Sequence, residues 1–286
     1  MKRMILLVGI LILDILLINY LYNNILLVKR FQSSIKEDKY LLTALGSINN
    51  DKNTNSIDAL NLNYKNGHHI YEVDISLTSD DKLVLASGWN LTDYKTSIGI
   101  NYYNDGKHNT KDTVTPKYDD FMKYKIQDKY TATSYKDLID FMNNNKDTYF
   151  LFDIGNNNDA TISKVLKLLK QQTPKKLYKR IIIHVYNDEM LKLVKKNSDF
   201  KLINILYIKR NYNSVEDFIE YCNKNNITSF STVISNINKE DAKVFNESNL
   251  ISIVNEVNDM NKVKMLDSMG IDLIGTDFLR NEKTTE

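Results

Sequence analysis

The chain is poor in the residues that usually staple or punctuate a fold: of 286 residues, one is cysteine, two are proline and one is tryptophan. A lone Cys222 excludes a disulfide framework and any cysteine-based metal site. It suits either side of a bacterial-type membrane, so it assigns no compartment. An excess of one charge is also missing. With 38 Lys and Arg against 36 Asp and Glu the balance is +2, which argues against a nucleic-acid footprint. There is no internal repeat and no low-complexity linker. The scarcity of proline, beside abundant Asn, Lys, Ile and Tyr, reads as a nucleotide-composition bias rather than as function.

What is present begins with a long apolar run. Lys2 and Arg3 precede Met4 to Val28, mostly Ile and Leu, interrupted by Asp14, Asn19, Asn23 and Asn24. A membrane-spanning helix needs roughly 20 mostly apolar residues, and this run is long enough. Asp14 near its middle costs about 2.5–3.5 kcal/mol, which the Ile and Leu residues offset. No small-x-small cleavage site precedes Lys29-Arg30, so the expectation is an uncleaved anchor over 1–30 rather than a removed signal. Basic residues flank both ends, and the positive-inside rule leans towards the rest of the chain lying outside the cell. The expected protein is thus a single-pass cell-membrane protein, with a polar linker over 31–39 and one domain over 40–286.

Within that domain, short β-rich runs alternate with amphipathic helical stretches. Expected strands are Tyr40–Leu45, Ile70–Leu77, Tyr149–Ile154, Arg180–Val185, Leu202–Tyr207, Ser229–Ile234, Leu250–Asn255 and Leu273–Gly275. Helical patterns lie between them, as where Val215, Phe218, Ile219 and Cys222 form one stripe. Eight strand–helix units predict a parallel α/β barrel of the TIM type, (β/α)8. A tyrosine-rich insertion over about 89–130 follows the second strand, with Leu83–Ala86 returning antiparallel through the Ser79-Asp80-Asp81 turn. An insertion there sits at the C-terminal mouth, where substrates enter.

The second strand carries the most informative chemistry. Glu72 and Asp74, two apart in Tyr71-Glu72-Val73-Asp74-Ile75, project from one face of one strand. Like charges so placed repel and call for a cation or catalytic work. Of the histidines, His68 and His69 precede this strand and lie at the barrel's bottom. His108 is in the insertion. His184, near the end of the fourth strand in Ile181-Ile182-Ile183-His184-Val185, is the best placed to act as a base. Just beyond it, Tyr186 is placed to touch a ligand at the mouth, and Asn187 to cap the next helix.

Asn53-Thr54, the helix through Ala59, Gly67, Glu72-Val73-Asp74, Leu77-Thr78-Ser79-Asp80 and Lys82-Leu83-Val84 together resemble the glycerophosphodiester phosphodiesterase family. The resemblance continues through Phe152-Asp153-Ile154, Val254-Asn255 and Gly275-Thr276-Asp277, so it spans roughly 41–279. It implies a phospholipase-C-like barrel that cleaves glycerophosphodiesters or related lipid head groups with a divalent cation and two histidines. By this resemblance a third acidic residue maps to Asp153, and Glu72, Asp74 and Asp153 become the expected ligands of Ca²⁺ or Mg²⁺, with no organic cofactor. The place of the first histidine reads Thr43-Ala44-Leu45-Gly46, and that of the second reads Ser87-Gly88-Trp89. Where the family has a lysine two positions after the third acid, this chain has Gly155.

The carboxylates persist while the proton-transfer residues do not. The leading expectation is therefore a membrane-anchored, catalytically impaired barrel. It would bind a glycerophosphodiester, a lipid head group or a glycerophosphate polymer, with Trp89 and Tyr186 as candidate contacts. The alternative is an active metal-dependent hydrolase of glycerophosphodiesters or lysophospholipids with relocated acid–base groups, His184 or His108 among them. A structural or protein-interaction barrel is the third reading, and convergence of the three carboxylates on one point would argue against it.

Overall fold

The computed structural model describes residues 25–90, 97–98, 115–155 and 157–280. Strands form where apolar residues rich in β-branched and aromatic side chains gather: Tyr40–Leu42 (β1), Ile70–Leu77 (β2), Tyr149–Asp153 (β6) and Ile181–Val185 (β7). Leu202–Leu206 (β8), Ser229–Val233 (β9), Ile251–Asn255 (β10) and Leu273–Thr276 (β11) complete the set. All eight pair in parallel in the order β1-β11-β10-β9-β8-β7-β6-β2, and β1 pairs with β2 to close the barrel. Closure leaves no barrel edge, and each strand points its C-terminal end at one mouth.

Asparagine and serine have a local use here. The helices Ile57–Lys65, Tyr135–Asn144 and Asp159–Gln172 start on Ser56, Ser134 and Asn158, whose side chains accept backbone N–H groups of the first turn. Asn187, Ser214 and Asn238 do the same for Asp188–Asn197, Val215–Asn225 and Lys239–Asn246, and Asp259 for Met260–Ser268. Each helix buries one stripe on the outside of the barrel, where Phe150, Phe152, Phe218, Phe230 and Phe245 fill the space between the layers.

After β2 the chain returns antiparallel over Leu83–Leu85 (β3), pairing Ile75 with Leu85 and Leu77 with Leu83. The expected insertion is described at both ends. It contains a short helix, Tyr118–Lys123, and a hairpin of Lys125–Ile126 (β4) with Tyr130–Thr131 (β5). Tyr94, Tyr102, Tyr103 and His108 lie outside the described residues.

The N-terminal expectation is corrected. Most of the apolar run falls on residues 1–24, outside the described residues, but the segment leading from it is a helix over 25–37, numbered α1. Phe31 and Ile35, one turn apart, are buried against Leu41, Ile70, Leu151, Ile182 and Leu273 at the barrel's floor. Phe31 meets the Tyr149 ring at 5.2 Å between centroids. Among the described residues, no helix is long and apolar enough to cross a membrane. Within the described residues the expected transmembrane helix is therefore corrected, and with it the membrane partner and the cell-membrane location that rested on it. Where the apolar run enters the described residues, Leu27 and Val28 pack partly buried against the same floor cluster, so protein side chains meet this end of it.

Candidate active site at the barrel mouth

Glu72, Asp74 and Asp153 come from neighbouring strands, with Glu72 opposite Leu151 and Asp74 opposite Asp153 in the parallel β2–β6 register. One oxygen from each carboxylate lies within 4.8 Å of the others. Each is oriented by a donor from a loop above the strands. Ala44 N–H donates to Glu72 Oε2 at 2.7 Å, and Asn55 Nδ2 donates to Asp74 Oδ2 at 2.7 Å. Gly155 N–H and the Tyr186 hydroxyl donate to the two oxygens of Asp153 at 2.7 and 2.5 Å. Ala44 adopts φ 47° and Asn55 the same φ, left-handed backbone that is costly away from glycine. The Ala44 turn occupies the place of the family's first histidine motif and supplies a backbone N–H instead.

Burial, and then the carboxylates of Asp74 and Asp153, push Glu72 well above the usual carboxylate range. Burial and the adjoining Asp153 carboxylate likewise drive the Tyr186 phenol far upward, so it holds its proton and serves as a donor. The Tyr186 ring stands edge-on to His184, with centroids 4.7 Å apart.

Glu72, Asp153 and His184 line one cavity of about 490 Å³ at the C-terminal ends of the strands. His184 is almost wholly buried, and its Nδ1 is 2.7 Å from Asn204 Oδ1. The Ser231 hydroxyl donates to the same Oδ1, so that oxygen accepts and His184 Nδ1 is the donor of the pair. On the far wall Asp277 accepts from Thr43 Oγ1 at 2.8 Å, from Asn258 Nδ2 at 2.7 Å and from Lys52 Nζ at 2.6 Å. Burial alone would raise this carboxyl, but the donors Lys52, Thr43 and Asn258 outweigh it and hold it below the usual range.

The expected carboxylates thus converge, and His184 and Tyr186 lie beside them. Trp89 does not line the cavity. Its indole N–H donates to Leu77 O at 2.7 Å, and its ring packs edge-on to Phe121. His68 and His69 sit at the opposite end, where Asp38 accepts from His69 N–H at 2.7 Å. Lys52, Asn55, Asn204, Asn258 and Asp277 were not singled out as site residues in the sequence. Only Asp277 carried a signal, as part of Gly275-Thr276-Asp277. The expectation of an impaired, binding-only barrel gives way here: Glu72 and Asp153, converged with Asp74, share a cavity with an oriented imidazole and a lysine.

The family model for the glycerophosphoryl diester phosphodiesterase family matches residues 46–281. A protein of Galdieria sulphuraria, provisionally assigned as a glycerophosphodiester phosphodiesterase, superposes with a TM-score of 0.66 at 16% identity, covering 84% of this chain and 94% of its own. The glycerophosphodiester phosphodiesterase of Thermotoga maritima gives 0.56 at 19% identity, covering 78% and 88%. An Oleispira antarctica phosphodiesterase, solved with its product sn-glycerol-3-phosphate, gives 0.59 at 15% identity, covering 84% and 93%. At such identities these structures speak for the fold alone. No curated protein sequence matches the chain. The family match, over most of the barrel and across all three carboxylates, places this chain in the glycerophosphoryl diester phosphodiesterase family.

Proposed function

We propose that this protein is a metal-dependent phosphodiester hydrolase acting on glycerophosphodiesters or lysophospholipids, with its proton transfer relocated to His184. The observation that carries this reading is the convergence of Glu72, Asp74 and Asp153, two of which, Glu72 and Asp153, line a cavity that His184 also lines. The donor set suits a hard cation such as Ca²⁺ or Mg²⁺, being three carboxylates already aimed by Ala44, Asn55 and Gly155. When bound, such an ion would neutralise phosphate charge and polarise the bond to the leaving oxygen.

The chain's own residues supply the rest. Asn204 holds the imidazole with Nδ1 protonated, so Nε2 takes the proton of the attacking hydroxyl. Among the described residues no second histidine lines the cavity, so the imidazolium formed is also the donor to the leaving oxygen. Tyr186 keeps its proton and fixes the rotamer of Asp153. A glycerophosphate product like that in the Oleispira antarctica structure fits this reading.

The test is turnover of glycerophosphocholine and of a lysophospholipid by the purified protein with Mg²⁺ or Ca²⁺. Glu72→Gln should abolish it, and His184→Ala should lower kcat by about 10²–10⁴. A folded protein without cation-dependent turnover, or turnover indifferent to Glu72→Gln, would overturn the proposal.

A further inference from the structure

The floor of the barrel holds a second cavity, of about 440 Å³, at the end opposite the acidic trio. Tyr149, which lines it, begins the strand that Asp153 ends. The helix α1 supplies one wall. Arg30, Ser33, Ser34 and Glu37 line the cavity, and their spacing of i, i+3, i+4 and i+7 puts all four on one helix face. That polar stripe runs beside the Phe31 and Ile35 stripe buried on the floor. The other wall brings Lys146, from the loop before β6, with Lys179 and Arg180, from the short helix Lys175–Arg180 before β7.

Four cations therefore share this cavity with one carboxylate, Glu37. Arg180 spends its guanidinium N–H groups on the carbonyls of Asn145, Thr148 and Met142, so it lends charge. Arg30, Lys146 and Lys179 form no ion pair among the described residues, whereas Lys136, Lys170 and Lys192 elsewhere on the surface each hold an aspartate. Like charges gathered without counter-ions repel, and packing alone gives the bottom of such a barrel no reason to collect them. A second feature points the same way. Tyr149 is 8% exposed with its ring against Phe31, yet its hydroxyl forms no hydrogen bond among the described residues. A buried phenol ordinarily finds a partner, and an anion in the cavity that Tyr149 lines would accept from it.

We propose that this floor cavity binds a small diphosphate-bearing anion, held by Arg30, Lys146 and Lys179 and by the Tyr149 hydroxyl. The volume is in the range of small-molecule sites, and a single phosphate, with at most about two charges, leaves the cations unbalanced. Lysine and arginine contacts to phosphate oxygens are charge-assisted and strong. The site lies apart from the barrel mouth and stands whether or not the mouth hydrolyses a phosphodiester.

The experiment is calorimetric titration of the full chain, in chelator, with inorganic phosphate, pyrophosphate and ADP. Chelator leaves the acidic trio without an ion and so repellent to anions. Pyrophosphate should bind at least about tenfold tighter than phosphate. ADP binding like pyrophosphate assigns an esterified diphosphate, and binding of pyrophosphate alone assigns a free one; both support the site. Lys146→Met and Lys179→Met should each weaken pyrophosphate about tenfold. Tyr149→Phe, which keeps the ring against Phe31, should weaken it roughly three- to tenfold. Lys175→Met and Lys176→Met, exposed on the same short helix but outside the cavity, should change it by less than about twofold. The inference is overturned by a parent protein that binds no pyrophosphate, or binds phosphate as tightly. It also fails should Lys175→Met weaken pyrophosphate as much as Lys179→Met, the signature of a diffuse surface field, or should Tyr149→Phe bind like the parent.

Discussion

Single residues at the two ends of the barrel carry opposite electrostatic problems. At the mouth, like charges gather and are steered by N–H donors. At the floor, His68 is buried 3% exposed, with its Nδ1 3.9 Å from Asp38 Oδ2, beyond hydrogen-bond reach. Burial, and then the charges of Arg280 and His69, push its imidazole down to about 4. An unfolded histidine titrates near 6.5, so between these values the unfolded chain takes up a proton that the native state refuses. Stability is therefore whole above about pH 6.5 and falls as pH drops towards 4, by at most about 3 kcal/mol. Asp38 works in the other sense, because burial raises its carboxyl and protonation then relieves the native state. His68→Asn isolates the histidine's share: urea midpoints at pH 7, 5.5 and 4.5 should slope less in the variant than in the parent. Equal slopes would show that His68 is not the group responsible.

At the scale of elements, the floor helix and the barrel strands teach different things about reading a sequence. The strands were legible because β-branched runs recur between helical patterns, and each observed strand lies within one residue of an expected one at its start. Four of the eight C-terminal ends were read long, as where Tyr40–Leu45 was expected and the strand stops at Leu42, because Thr43–Leu45 turns there and delivers the Ala44 N–H to Glu72 and the Thr43 hydroxyl to Asp277. The α1 helix was not expected because Leu27 and Val28 close the apolar run from Met4 to Val28, while the Phe31 and Ile35 pair is too short a stripe to stand out. Its docking has a measurable consequence. Phe31 is 1% exposed on the barrel floor, and Phe31→Ala should cost about 3–5 kcal/mol in equilibrium unfolding. A loss under about 1 kcal/mol would mean that α1 does not plug the floor. A second element depends on one buried cation. Arg180 donates to the carbonyls of Asn145, Thr148 and Met142, just at and beyond the end of the helix Tyr135–Asn144. Arg180→Met strands those acceptors, and the same assay should read a loss of about 2–4 kcal/mol.

Over the whole molecule, the barrel concentrates charge at one mouth because parallel strands end there together and their loops carry the donors. Glu72 and Asp74 could be found in the sequence because both lie on one strand, two residues apart. Asp153 joined them through the family resemblance, and the β2–β6 register brings it opposite Asp74; the pairing of Lys52 with Asp277 needed barrel closure, which brings the loop after β1 beside the end of β11. The same closure couples the site to global stability. Without a cation, Glu72 is held against Asp74 and Asp153 at a cost that folding has to absorb. Glu72→Gln keeps an acceptor for Ala44 N–H and removes the charge. In chelator at neutral pH the variant should be more stable by about 1 kcal/mol or more, a rise of roughly 2–4 °C in Tm. Saturating Mg²⁺ should reverse the order, because the parent gains about 2.7 kcal/mol at a hundredfold excess over Kd while the variant has lost a ligand. Thermal unfolding of both proteins with and without Mg²⁺ makes the comparison. A variant less stable in chelator would show that the trio is not strained. Equal Mg²⁺ shifts in both would place the ion elsewhere on the protein.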